Sequence, residues 1–463
     1  MELELSNIQG LVITGYRYLT ATRYLFLTIE APTAAREWLS GVAARITTET
    51  RRQKGSAGPN AVVNVAFTYD GLQALGVPAD SLKTFPPEFI DGMANRASML
   101  GDIDDSAPAN WLVGGPQSRI DLLVFLYAES AKALDELGQG LAMPQGLREI
   151  YRQDASFSEH EPFGFKDGIS QPGLEGSPID ALPGQSVVKA GEFLLGYENE
   201  YGETPTMPTI AQSVDRTTYL QGNPSQPDRR DLGRNGSYMV VRKLVQDVAN
   251  FRNFFEQEAK KENAPDIEVA KVRLASKCVG RWPSGAPLVL APNEDKSDLG
   301  DPSRNNLFDF MTNDQWGFSC PIGSHIRRAN PRDSLLPNPI SSLTEMKRHR
   351  IIRRARSFGA PLAQGSAQPP TSDSEQGIMF VALNADFEQQ FEFIQRNWIN
   401  GTAFGGLFTE KDPILGDGGH VFTIPERPVR RSINDIPRFV TNRGGGYFFL
   451  PGINALRFLA TLT

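Results

Sequence analysis

Unbroken apolar runs alternate along this chain with segments in which apolar residues return every three to four positions. The runs predict buried strands at residues 23–29, 61–68, 120–127 and 147–152 in the first half, and at 238–244, 378–383 and 447–450 in the second. The helical period predicts helices at 33–46, with Trp38, Leu39, Val42 and Ile46 on one stripe, and at 71–75 and 130–139. Two more fall at 248–256, bearing Phe251, Phe254 and Phe255, and at 387–398, where Phe387, Phe391, Ile394 and Trp398 share a face. The first half therefore reads close to βαββαβ, a split βαβ unit, and the second half repeats the theme. A chain of 463 residues exceeds one ordinary hydrophobic core. The expected fold class is α+β, with two ferredoxin-like domains of antiparallel sheet, residues 1–190 and 191–463.

Long irregular stretches interrupt these units at 162–212, 283–331 and 359–376, in keeping with 43 glycines and 33 prolines. Such loops inside a compact domain mark functional sites or linkers. A formal charge of −7 argues against nucleic acid as a partner, because phosphate binding needs a basic surface. No apolar stretch approaches membrane-spanning length, and the opening Met-Glu-Leu-Glu-Leu-Ser has no basic region followed by an apolar run, so a cytoplasmic location is expected. The two cysteines, Cys278 and Cys320, are far apart and predict buried, reduced thiols rather than a zinc site or disulfide framework.

The chemistry concentrates in two of the irregular stretches. Of four histidines, His325 stands in Cys320-Pro-Ile-Gly-Ser-His-Ile-Arg-Arg-Ala-Asn-Pro-Arg332. An imidazole followed by Arg327, Arg328 and Arg332 suits an anionic cofactor with a metal centre, the nitrogen for the metal and guanidinium groups for carboxylate tails. By spacing alone a structural histidine in a basic loop is the better reading. Asp167 lies in Glu161-Pro-Phe-Gly-Phe-Lys-Asp-Gly-Ile-Ser-Gln-Pro172, between aromatic residues and glycines that permit close approach to a flat ligand. Taken alone, that segment also reads as an ordinary Asp-Gly turn.

Together these segments resemble the dye-decolourising peroxidase family, whose GxxDG motif is similar to Gly164-Phe-Lys-Asp-Gly168. His349-Arg-Ile-Ile-Arg-Arg-Ala-Arg-Ser-Phe-Gly359 is a third matching segment, with Arg353 where the family carries its distal arginine. The likeness extends from Asn7-Ile-Gln-Gly10 to Gly446-Tyr-Phe-Phe-Leu450 and looks most like the longer bacterial and fungal branch. It implies a dimeric α+β barrel-type fold holding haem b between sheet and helices. The cofactor would lie mainly in the C-terminal domain, with the GxxDG loop reaching over from the N-terminal one. It further implies that His325 ligates the iron, that Asp167 and Arg353 activate hydrogen peroxide, and that an oxo-ferryl intermediate oxidises dyes, phenols or other aromatic reductants. Gly168, Ile169 and Phe380 would line the cofactor. Asp412, with Glu410 as competitor, would be the carboxylate behind His325. Ala355 departs from the small polar residue or Asn usual two places after the distal arginine.

Bulky dyes would need a surface aromatic to pass electrons inward, for which Trp398 is the candidate, although its helical stripe favours core packing. The basic segment 347–356, six positive residues in ten, reads as a solvated face or subunit contact apart from Arg353. A monomer or homodimer is expected. A haem-handling protein that extracts iron without peroxidase turnover is the alternative, disfavoured by the Asp167 and Arg353 pair. An aspartate works as a base at lower pH than a histidine. The expectation is an acidic optimum in a pH–rate profile, and an optimum above neutral would count against Asp167.

Overall fold

The computed structural model describes residues 2–49, 58–335, 337–359 and 375–463. The first half supplies β1 (Ala21–Ile29), β2 (Ala61–Phe67), β3 (Leu122–Ala128) and β4 (Leu147–Ser156). The second supplies β5 (Ser237–Gln246), β6 (Ile352–Arg353), β7 (Arg356–Phe358), β8 (Gly377–Asn384) and β9 (Val440–Leu450). Within the halves the antiparallel orders are β4-β1-β3-β2 and β7-β8-β5-β9, the ferredoxin-like arrangement twice over. Phe449 of β9 pairs with Phe67 of β2, and Ser357 of β7 with Ser156 of β4, so both edges of one sheet meet those of the other and a barrel closes. Closure removes the exposed edges that an open sheet would present.

Alternation decides what fills the barrel. Tyr24, Phe26, Phe125, Tyr127, Met239, Val241, Met379, Val381 and Phe448 form one buried cluster inside it. Their neighbours Leu25, Leu27, Val124, Leu126, Val240, Ala382 and Phe449 join a second cluster outside, under helices such as α1 (Pro32–Ala43). Both faces are buried, which is why the strands read as continuous apolar runs. Helix α2 (Ala131–Gln139) is capped by Ser130, whose hydroxyl accepts from the Ala133 N–H, and α3 (Val248–Lys261) by Asp247.

Several elements differ from the sequence expectations. Helix α4 (Ile267–Val279), capped by Asp266 and ended by the left-handed Gly280, was not foreseen, because charged residues interleave its apolar stripe. Strand β9 starts well before residue 447, its polar first half concealing it. Gly445 there has φ +137°, and a Cβ would meet the Val241 carbonyl, so only glycine keeps this strand against β5. The expected helix at 387–398 is wound as π-helix, Phe387–Glu392 and then Ile394–Ile399, which splits its apolar stripe between two clusters. Most of the expected 359–376 loop lies outside the described residues.

Phe125 is fully buried inside the barrel against Tyr24. Phe125→Ala should destabilise the fold by about 3–5 kcal/mol. Denaturant unfolding checks this, and an unchanged midpoint would contradict the packing described.

Candidate active site

Because Met379 and Val381 face the barrel interior, Ile378 and Phe380 on the same strand face outward. There they line a cavity of about 660 Å³ between the second-half sheet, the π-helix and the loops of both halves. That size suits a cofactor or other small molecule. Asp167, Gly168, Ile169, Arg332, Arg353 and His325 all reach it, so segments far apart in sequence converge on one space.

His325 opens the short helix α5 (His325–Ala329). Its Nδ1 lies 2.8 Å from Asp412 Oδ2, and the side chain keeps 26% exposure, which opens onto the cavity. Asp412 is fully buried and its other oxygen accepts the Ile414 and Leu415 N–H groups, each at 2.9 Å. Burial alone would lower the imidazole pKa, but the Asp412 carboxylate outweighs it and raises the group above its ordinary value. Burial likewise works to raise Asp412, and the facing imidazole with the backbone donors holds it low. Glu410, the competing carboxylate, instead accepts from the Thr423 N–H at 3.0 Å. Among the described residues no three His, Cys, Asp or Glu side chains converge as a metal cluster. A lone imidazole suits a metal whose other ligands arrive with a prosthetic group.

The glycine-punctuated loop lines the same cavity. Gly168 has φ +75°, and a Cβ would collide with the Arg17 guanidinium, which donates to the Gly168 carbonyl at 2.9 Å. Arg353 on β6 donates through Nη2 to the Ile169 carbonyl at 2.6 Å, and its own N–H donates to Gln171 Oε1 at 3.0 Å. These bonds hold Arg353 Nη1 3.7 Å from Asp167 Oδ1, both groups about one-third exposed to the cavity. Glu161, quoted only as the start of the motif, braces the loop. It accepts from the N–H groups of Phe163 and Phe165 at 3.0 and 2.9 Å and from Gln246 at 2.6 Å. Burial pushes its pKa up to about 7 against these donors.

The arginines divide. Arg332 lines the cavity, stacked 3.9 Å over Phe308, with Arg281 and Arg350 beside it. Their hydrogen bonds go to uncharged oxygens of Asn305, Asn306, Phe308, Gly285 and Ser170. Burial, with mutual repulsion at Arg281 and Arg350, pulls the guanidinium pKa values to about 10 for Arg332 and about 9 for the other two. Arg281 is buried and Arg332 and Arg350 are half-buried, and cations so far withdrawn from water without a carboxylate in salt-bridge reach call for an anion from elsewhere. Arg327 and Arg328, expected at the cofactor, do not line the cavity. The first donates to carbonyls of Asp314, Gln315 and Cys320, the second to those of Trp398, Gly401 and Glu410. Side chains successive to His325 on a helix turn point to other faces, and these two knit the surrounding loops.

The basic segment 347–356 is not a solvated face. Arg354 donates to Leu11 and Val12 carbonyls and Arg356 to those of Gly15 and Tyr16, tying this strand region to the chain start. Trp398 is not a surface aromatic either. It is 5% exposed, packed with Met346 and Phe404 and edge-on to His349 at 5.2 Å. Cys278 and Cys320 are buried and unpaired, as expected. Among the described residues no helix is long and apolar enough to cross a membrane.

Comparison with known proteins agrees with this architecture. Residues 7–155 match the family described as the DyP dimeric alpha+beta barrel domain. The chain is 30% identical to the dye-decolorizing peroxidase msp1 of Mycetinis scorodonius, covering 98% of this chain and 87% of that protein. A solved dye-decolorizing peroxidase in complex with 2,6-dimethoxyphenol superposes with a TM-score of 0.80 at 27% identity, covering 99% of this chain and all of that one (100%). The fungal DyP-type peroxidase of Auricularia auricula-judae does so with a TM-score of 0.80 at 26% identity, covering 99% and 100%.

Glu161 gives the cavity a measurable pH signature. Its folded pKa is raised from 4.5 to about 7, so the folded state holds a proton that the unfolded chain releases. Its contribution is therefore most favourable below pH 4.5 and is lost as pH rises to about 7. Glu161→Gln, which fixes the neutral form, should gain melting temperature relative to wild type between pH 5 and pH 8, about the window named. Parallel profiles for the two proteins would refute the assignment.

Proposed function

The chain belongs to the dye-decolourising peroxidase family, and from that membership we propose that Asp167 and Arg353 activate peroxide opposite an iron ligated by His325. The protein is a haem-dependent peroxidase, an oxidoreductase that reduces hydrogen peroxide and oxidises dyes, phenols and other one-electron donors. The fit of the cavity supports the specific cofactor haem b. The His325 nitrogen not engaged by Asp412 is available to iron, Ile378 and Phe380 offer apolar wall, and Arg332 with Arg350 would take the carboxylate tails. When bound, the haem supplies the redox chemistry.

The protein's own groups handle the proton and the charge. Asp412 accepts the Nδ1 proton of His325, fixing the ring and making it a stronger donor. Asp167 would take a proton from one oxygen of peroxide and deliver it to the other, which would leave as water, with the haem supplying the two electrons that breaking the O–O bond consumes. Arg353, a permanent cation, stabilises the negative charge that builds on that departing oxygen. Residues 1–190 would thus form the domain that carries the proton shuttle, and 191–463 the domain that carries the metal ligand and the cation. Gly168 and Ile169 border the distal side, where the Ile169 carbonyl already anchors Arg353.

The observation that carries the reading is the 3.7 Å approach of Arg353 to Asp167 in a cavity that His325 also lines. A phenolic reductant fits by analogy with the relative that binds 2,6-dimethoxyphenol. The buried thiols suit a reducing compartment such as the cytoplasm, and a monomer or homodimer suffices for the chemistry.

Rapid mixing of haem-loaded protein with one equivalent of peroxide tests the assignment. Asp167→Ala should slow the first optical change by about 10²–10⁴-fold. Arg353→Leu should slow it by about 10²–10³-fold. Both variants should retain haem, and rates equal to wild type would sink the roles given to these residues.

A further inference from the structure

One buried polar cluster lies just behind the cavity and plays no part in peroxide activation. Tyr447 on β9 is 2% exposed and stacks on Phe387 with ring centres 4.3 Å apart. Its ring meets Phe391 edge-on at 6.3 Å, and Phe391 lies 6.2 Å from Phe380, both phenylalanines forming cavity wall. A single aromatic layer thus separates the phenol from the cavity.

The phenol has an unusual partner. Its O–H donates to Glu392 Oε1 at 2.8 Å, and that carboxylate is 1% exposed. Arg96 grips both Glu392 oxygens, each at 2.6 Å, and extends its remaining nitrogen to Asp91, which is half-exposed, at 3.1 Å. The hydroxyls of Tyr24, Tyr127 and Tyr238 have no hydrogen-bond partner among the described residues, and Tyr197 donates to the Asn235 amide.

This difference matters because a phenol that loses an electron becomes a strong acid. Inside a protein it can be oxidised readily only where a base stands ready for the proton. From this geometry we infer that Tyr447 is an electron-relay residue, oxidised reversibly across Phe391 with Glu392 as its proton acceptor. The inference rests on the peroxidase reading, whose reaction supplies the oxidant.

The step balances. One electron passes from the Tyr447 ring to the peroxide-oxidised cofactor in the cavity, and the hydroxyl proton moves to Glu392. A neutral tyrosyl radical then faces a neutral carboxyl group. When a phenolic reductant later gives up an electron, the proton returns and the phenol is restored. Burial, reinforced by the Glu392 charge, raises the Tyr447 pKa well above the ordinary phenol value. The group therefore keeps its proton at working pH until the electron leaves. Arg96 holds the carboxylate in place throughout, and its fork geometry keeps Oε1 aimed at the phenol.

Paramagnetic resonance on haem-loaded protein frozen after mixing with peroxide tests the inference. Wild type should show a tyrosyl component whose hyperfine pattern narrows when ring-deuterated tyrosine is incorporated. Tyr447→Phe, which keeps the ring and its stacking, should lose that component. Glu392→Gln should lose it too although the tyrosine remains, an outcome that a merely structural hydrogen bond would not produce. A tyrosyl component of wild-type size in either variant, or none in wild type, overturns the relay. Since the optical change on mixing with peroxide is recorded in the same samples, its presence leaves the peroxidase reading standing when the relay falls, and its absence overturns both.

Discussion

The site depends on one buried hydrogen bond, from the His325 Nδ1 to Asp412. Asp412 is anchored by two backbone N–H groups as well, so its position is set by the loop rather than by the imidazole. The ring is therefore held in a single orientation, with its other nitrogen committed to the cavity. A carboxylate so deeply buried is tolerated only because each oxygen is satisfied, and that same requirement makes the arrangement rigid. Were Asp412 free to turn, the imidazole could turn with it, and nothing opposite would be aligned to anything.

The barrel makes the opposite side possible. Its interior is filled by side chains from both halves, so the cofactor-sized space lies outside, against the second-half sheet. Closure through the β2–β9 and β4–β7 contacts brings the first half's glycine loop over that space. The two halves are then bound by arginine: Arg353 to Ile169, Arg354 to Leu11 and Val12, Arg356 to Gly15 and Tyr16. The same run that carries Arg353 thus fastens the two halves of the barrel.

Much of this was legible from pattern. Strands buried on both faces announce themselves as apolar runs, so seven strands and the βαββαβ-like order of the first half were readable without coordinates, whereas the short strands β6 and β7 were not. His325, Asp167, Arg353 and Phe380 line one cavity, and Asp412 stands against His325. What escaped notice has physical causes. Arg327 and Arg328 look like anion binders in sequence, but a helix points consecutive residues to different faces, and theirs meet loop carbonyls. Arg350 and Glu161 were passed over because burial, not residue type, makes them notable. Trp398 is packed inward, as its helical stripe suggested, but the π-helical winding of its segment is something no periodicity of 3.6 reveals.

The central claim is that the imidazole at 325 offers its free nitrogen to an iron held in the cavity. His325→Gly protein, loaded with haem and titrated with free imidazole, tests it by electronic and paramagnetic resonance spectra. The account predicts that the variant loses the wild-type ligation spectrum and that added imidazole, entering the vacated space beside Asp412, restores it. A variant whose iron spectra match wild type before any imidazole is added would contradict it.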